Sequence, residues 1–320
     1  MSNATEAEPI LDAAQKICDP HHHLMDNEWA RYRLEDLLAD LQRGHRVVST
    51  IYVEAGAPYR SEGVESLRPV GEVEYVRGLD APECVMAGIV AFADLRLGSN
   101  IEAVLEAQET AARGRLCGIR FMTAWDPHPE LNFLSYRPTP GLLRDSTVLR
   151  AIKHIGRREL PLDCWMYAHQ LGDLLAAARA LPDQIFVLDH MGTPLVAAPY
   201  AGRLEQVFAE WRQRMSELAG CSNVRLKIGG LALKIQGAPW RRGTWPDSEE
   251  IAAFWREHVL WCIEQFGANR CMFESNFPID RLVVRYVSLW NAYKRIVAGC
   301  SPDERDQLFH GTAHRTYLST

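Results

Sequence analysis

In the stretch Cys18-Asp19-Pro20-His21-His22-His23-Leu24, two histidines stand two residues apart behind an apolar lead-in. Side chains on a strand alternate faces, so His21 and His23 point one way and His22 the other. Two imidazoles on one face are a compact pair of neutral nitrogen donors for zinc or a similar borderline metal, and a third ligand must come from elsewhere. His22 is expected to be structural. Other chemically capable residues close apolar runs. Glu54 ends Val47-Val48-Ser49-Thr50-Ile51-Tyr52-Val53, and a carboxylate beside two histidines reads as a ligand or a base. Arg120 lies inside Leu116-Cys117-Gly118-Ile119-Arg120-Phe121-Met122. A guanidinium there is costly unless paired, either by gripping a substrate carboxylate in bidentate fashion or by a structural ion pair with Glu54. His190 follows Val187-Leu188-Asp189 and reads as a metal ligand or catalytic group, against a core histidine bonded to Asp189. His169, Lys227 and Trp125 are weaker candidates for substrate contact.

The elements that must position these residues alternate strictly. Strands are expected at 47–54, 85–92, 116–122, 162–169, 184–192, 224–230 and 270–276, after a first strand carrying the histidines. Helices are expected at 29–42, 70–78, 101–113, 145–158, 172–180, 200–218, 249–266 and 282–297, from leucine-type spacing and Gly or Pro stops. Eight strands alternating with helices in 320 residues predict a (β/α)₈ TIM barrel, a single domain over 1–320 with 1–16 as an N-terminal extension. Its C-terminal strand ends gather His23, Glu54, Arg120, His169, His190, Lys227 and Asn276 at one mouth. His21, His23 and His190 are then the expected metal ligands. Two long connections, 123–142 and 237–246, read as lid loops over that mouth, the second carrying Trp240 and Trp245.

Composition narrows the chemistry. A net charge of −6 without basic blocks argues against a nucleic-acid surface and leaves a small molecule as the partner. Eight cysteines without a CxxC pair predict buried free thiols and a cytoplasmic protein. The first residues lack an apolar signal core, and no run is long enough to span a bilayer. A homo-oligomer stays open.

Taken together, Asp19-Pro20-His21-His22-His23-Leu24, Tyr52-Val53-Glu54-Ala55-Gly56, Gly118-Ile119-Arg120-Phe121, Val187-Leu188-Asp189-His190-Met191-Gly192, Lys227-Ile228-Gly229-Gly230 and Arg270-Cys271-Met272-Phe273-Glu274-Ser275-Asn276-Phe277-Pro278 resemble the amidohydrolase superfamily, and within it the lactonase-like TIM-barrel metal-dependent hydrolases. Leu308-Phe309-His310-Gly311-Thr312-Ala313 resembles the family's closing segment. The resemblance implies hydrolysis of a lactone or a related ester or amide carbonyl, with a divalent metal, zinc foremost. A neighbouring branch implies the alternative, decarboxylation of an aromatic or dienoic acid. A binding protein that kept the barrel is the third reading.

This chain departs from the pattern at the eighth strand, where the family's proton-accepting aspartate is replaced by Asn276. An amide can orient a group but cannot act as general base, so a metal-independent site is the competing expectation. The base must then be another mouth residue. Glu54 is preferred and Glu274, of the same strand parity as Asn276, is second. Asp280 lies beyond Pro278 and needs an unusual turn to reach the site.

Overall fold

The β-branched and apolar runs of the sequence become eight parallel strands in one sheet. They are β1 (Lys16–His22), β2 (Arg46–Val53), β3 (Gly88–Phe92), β4 (Leu116–Met122), β5 (Leu162–Trp165), β6 (Phe186–Leu188), β7 (Val224–Ile228) and β8 (Cys271–Phe273), each paired to the next in chain order. The structure, a computed structural model, describes residues 8–27, 30–56 and 58–319. The ring is completed where β1 meets the segment after β8: the His23 amide donates to the Phe277 carbonyl (2.7 Å) and the Asn276 amide to the His21 carbonyl (2.9 Å). The same two hydrogen bonds bring the histidine pair against the Asn276 turn.

Around the barrel run α1 (Leu34–Leu41), α2 (Val70–Gly78), α3 (Glu102–Ala112), α4 (Ser146–Gly156), α5 (Leu171–Ala180), α6 (Leu204–Ala219), α7 (Ser248–Phe266) and α8 (Tyr286–Ile296). The architecture is the expected (β/α)₈ barrel. Period-two alternation divides each strand between two layers: Tyr52 joins the barrel-to-helix core, while its neighbours Ile51 and Val53 face the interior with Val187 and Met272. The C-terminal helix Thr312–Tyr317 sends Ala313 and Tyr317 into that interior cluster. Each Val or Ile so buried contributes on the order of 1.5–3 kcal/mol relative to exposure.

Some boundaries differ from expectation. The first helix starts at Leu34, because Arg31–Tyr32 pairs with Met25–Asp26 as a short antiparallel ribbon. Strand β5 ends at Trp165, four residues before the expected His169, because Ala168–Gln170 already turns as a 3₁₀ segment. Of the expected N-terminal extension, 1–7 lies outside the described residues. From Glu8 onward the chain is fastened to α8: Asn291 donates to the Pro9 carbonyl (2.9 Å) and Lys294 to the Leu11 carbonyl (2.7 Å). All cysteines are free. No helix among the described residues is long and apolar enough to cross a membrane.

Candidate active site

The β1 end delivers His21 and His23 to one side, with their Nε2 atoms 3.2 Å apart, while His22 turns away to bond Thr50 Oγ1 at 2.9 Å. What surrounds each ring fixes its tautomer. His23 Nδ1 lies 2.8 Å from the Val53 carbonyl, which can only accept, so Nδ1 carries the hydrogen and Nε2 is bare. His21 Nδ1 faces two carboxylate oxygens, Glu274 Oε2 at 2.9 Å and Asp189 Oδ1 at 3.6 Å. Lys227 Nζ is farther, at 3.3 Å, and makes its shorter contact with Asp163 (2.5 Å), so Glu274 is the nearer partner of that nitrogen. With the His21 hydrogen on Nδ1, two lone pairs meet across 3.2 Å. Burial also holds both rings neutral: it lowers His21, with Lys227 adding to the effect, and drives His23 well below the usual histidine range.

Two bare nitrogens at this separation repel one another unless a cation lies between them. Nitrogens each about 2.0–2.1 Å from one tetrahedral zinc are about 3.3 Å apart. The residues present therefore fit a divalent metal. Glu274 Oε2 and Asp189 Oδ1 face the Nδ1 edge of His21 and hold its hydrogen there, which turns the bare Nε2 toward His23. Ligand atoms of His21, His190 and Glu274 all lie within 4.8 Å of one another. The tight group thus contains Glu274 where sequence reasoning placed His23, and His23 joins it through its contact with His21.

Glu274 sits just past β8 and accepts from His190 Nδ1 at 2.6 Å. A carboxylate behind ring nitrogens turns the opposite Nε2 atoms forward, the usual way such histidines are oriented toward a metal. Burial alone would raise Glu274, but His190 and His21 outweigh it and hold the carboxyl at about 2. Reciprocally, burial would lower His190 and Glu274 overrides it, raising the imidazole. Gly229 makes room for this carboxylate, since a Cβ there would lie 2.1 Å from Glu274 Cγ. His190 itself is held at φ 54° and Asn276 at φ 53°. Left-handed backbone is uncommon for residues other than glycine and clusters where function demands it.

Residues 18–318 match the amidohydrolase family. The chain belongs to that family. A Sinorhizobium fredii protein, y4mH, is 29% identical over 323 residues, 94% of this chain and 98% of its own. An L-fucono-1,5-lactonase of Burkholderia multivorans is 26% identical, covering 90% of this chain and 86% of its own. A crystal structure of a B. multivorans amidohydrolase with bound zinc superposes with a TM-score of 0.73 at 25% identity, over 94% of this chain and 98% of that one. The protein is an amidohydrolase-type hydrolase.

In this amidohydrolase a cavity of about 310 Å³ is lined by His23, Glu54, Arg120, Trp165, His190 and Asn276 among apolar neighbours that include Phe133 and Leu134. The first expected lid loop, 123–142, supplies the latter two. Arg120 is anchored by Nε to Asp189 Oδ2 (3.0 Å) and reaches Glu54 Oε1 with Nη1 (3.5 Å). The ion pair weighed against substrate binding is therefore present, shared between two carboxylates, while the guanidinium still lines the cavity. Burial raises the Glu54 carboxyl, opposed by Arg120. Asn276 donates from Nδ2 to Asp280 Oδ1 (3.0 Å), which leaves its carbonyl oxygen as the acceptor.

Three expected contacts lie outside this cavity. His169, past the end of β5, is exposed and bonds the Trp125 carbonyl (3.0 Å), so His169 and Trp125 brace each other in the loop; Trp165 takes the strand-end place instead. Lys227 is wholly buried under His21, between Asp163 and Asp189 (3.5 Å). The second expected lid, 237–246, lines a different cleft. Sequence reasoning missed Asp163, a charge inside the apolar run 162–166 whose inward parity was available as a signal. It also set Asp280 aside, and the turn it requires exists: Asp280 is buried, bonded to Asn276 and to the Ala232 amide (3.2 Å), and burial pushes it up to about 7.

Proposed function

We propose that this amidohydrolase opens a lactone, or a related ester or amide carbonyl, of a small anionic substrate, with zinc as the divalent metal. The observation that carries the reading is one cavity of about 310 Å³ in which the Arg120 guanidinium and the Glu54 carboxylate stand beside His23 and His190. The L-fucono-1,5-lactonase relatives support a cyclic ester as the substrate class. Arg120 holds the substrate's anionic group with the donors that Asp189 leaves free. Trp165, Phe133 and Leu134 give the ring an apolar wall and thin the water around it. Asn276 Oδ1 accepts a hydrogen bond from the attacking water, oriented through Asp280. Glu54, its carboxyl raised by burial, takes the water's proton and returns it to the leaving alcohol, giving the open hydroxy acid. His21 and His23 would hold the metal through Nε2, with His190 and Glu274 beside them. Bound there, it supplies a Lewis acid for the carbonyl oxygen and an acidified water.

The experiment is substrate profiling of protein purified without chelator, its metal content measured alongside. Lactones are followed by acid release and aromatic acids by carbon dioxide. Lactone opening that disappears with the metal and returns with zinc supports the reading. Carbon dioxide release without lactone opening replaces it with the decarboxylase. Full turnover by metal-free enzyme removes the metal from the reading and leaves Arg120 and the imidazoles as the electrophilic groups.

A further inference from the structure

We propose that a second cleft, behind the turn that carries Asn276, is a binding site for a flat organic anion with two acidic groups. The cleft, about 550 Å³, is larger than the barrel-mouth cavity, and its rim carries Arg31, Arg43, Arg242, Arg281, Arg285 and Trp245. Among the described residues, two carboxylates face it. Asp40 is already spent on Arg43 (2.8 Å) and Arg281 (3.3 Å). Glu8 accepts from the Ser248 amide (2.9 Å) and Ser288 Oγ (2.6 Å) and meets no arginine. Among the described residues, Arg31, Arg242 and Arg285 have no carboxylate partner. Three unmatched guanidinium groups around one concave surface attract an anion and can grip carboxylates in bidentate fashion.

The body of the ligand follows from the rest of the lining. Phe277, Val284 and Val287 make the wall apolar. The Arg285 guanidinium lies over the Trp245 ring, 5.6 Å from its centroid, and Trp245 is exposed on left-handed backbone at φ 50°. A large apolar residue held exposed at such a conformation, beside a stacked guanidinium, offers a face for an unsaturated ring. The cleft is separate from the barrel mouth. Asn276 and Ile279 line the mouth cavity, whereas Phe277, Pro278 and Arg281 of the same turn line the cleft, so one turn forms a wall of both.

The probe is benzene-1,3-dicarboxylate, titrated calorimetrically into the full-length protein in chelator-free buffer. One-to-one saturable binding is expected, tighter than about 1 mM and weakening as salt rises. Arg242→Ala and Arg285→Ala, each checked for an unchanged circular dichroism spectrum, should each weaken it by about tenfold or more, the effect of losing one charge-assisted pair. Trp245→Leu and the non-planar cyclohexane-1,3-dicarboxylate should each weaken it as well. Arg120→Lys should leave it unchanged. No saturable binding up to about 10 mM, a concentration well above the weakest specific affinities, overturns the proposal. So does binding that survives all three cleft variants but is lost in Arg120→Lys, which would put the probe in the barrel mouth.

Discussion

Replacing Glu274 by glutamine tests how the histidines are oriented, because one carboxylate faces two ring nitrogens. Oε1 accepts from His190 Nδ1 at 2.6 Å and Oε2 lies 2.9 Å from His21 Nδ1. A glutamine keeps one acceptor and presents an NH₂ to the other ring. The histidine facing that NH₂ must move its hydrogen to Nε2, which removes its lone pair from the mouth. Losing such a backing carboxylate typically costs about 10–100-fold in metal affinity or activity, or about 1.4–2.7 kcal/mol. Competition with a chromophoric chelator should show that fall in zinc affinity, and kcat should fall with it, while circular dichroism stays unchanged. The variant should also lose a pH signature. His190 is raised in the fold, so the pair's stabilisation is present below the free histidine value and is lost as pH rises through the raised one; Glu274, at about 2, loses its share as pH falls through that value. Zinc affinity and kcat within twofold of the parent would refute the reasoning and return Glu274 to a packing role.

Glu54→Gln should lower kcat by about 10²–10⁴, the usual size of a general-base contribution, with little change in melting temperature; near-normal kcat beside an inactive Glu274→Gln would move the base to the eighth strand. Arg120→Lys keeps the charge on Asp189 but loses the fork, so KM should rise with the fold intact, and an unchanged KM in steady-state kinetics would assign the residue to structure alone. Glu72, in α2, accepts from Tyr52 Oη (2.7 Å) and the Ala55 amide (2.6 Å), and burial raises it to about 8. Its protonated form is favoured in the fold, so the contribution is complete below the free carboxyl value and is lost as pH rises through about 8. Relative to Glu72→Gln, the parent should therefore lose up to about 1.4 kcal/mol per pH unit between about 5 and 8; parallel melting-temperature curves would contradict this.

The barrel was legible because its signals are local: β-branched runs such as 47–53, helical spacing such as 249–266, and polar residues at strand ends. His21, His23, Glu54, Arg120 and His190 were legible for the same reason, since strand parity and strand ends place them. Glu274 was recognised as chemically capable, but its contacts with two histidines depend on the close approach of Gly229, at the end of the neighbouring strand. His169 was misplaced because β5 gives way to a 3₁₀ turn after Trp165, and nothing in Met166-Tyr167-Ala168 breaks the apolar run. Asp280 was set aside because its arrival depends on the backbone path through Phe277-Pro278, which residue types alone do not specify.

The ionic floor of the barrel governs how damage to this enzyme would be read. Asp163, Lys227 and Asp189 are fully buried in one chain of contacts that Tyr317 closes from below, donating to Asp163 at 2.8 Å, and Arg120 continues it upward into the mouth. Removing any single member strands a charge where water cannot reach it, at a cost of about 3–5 kcal/mol, a large share of a domain's total stability. In a mutational scan scored by growth or yield, floor and mouth would look equally intolerant. Only an assay corrected for the amount of folded protein separates them. By that measure Lys227 and Asp163 variants would be scarce but competent, and Glu54 variants abundant but inert.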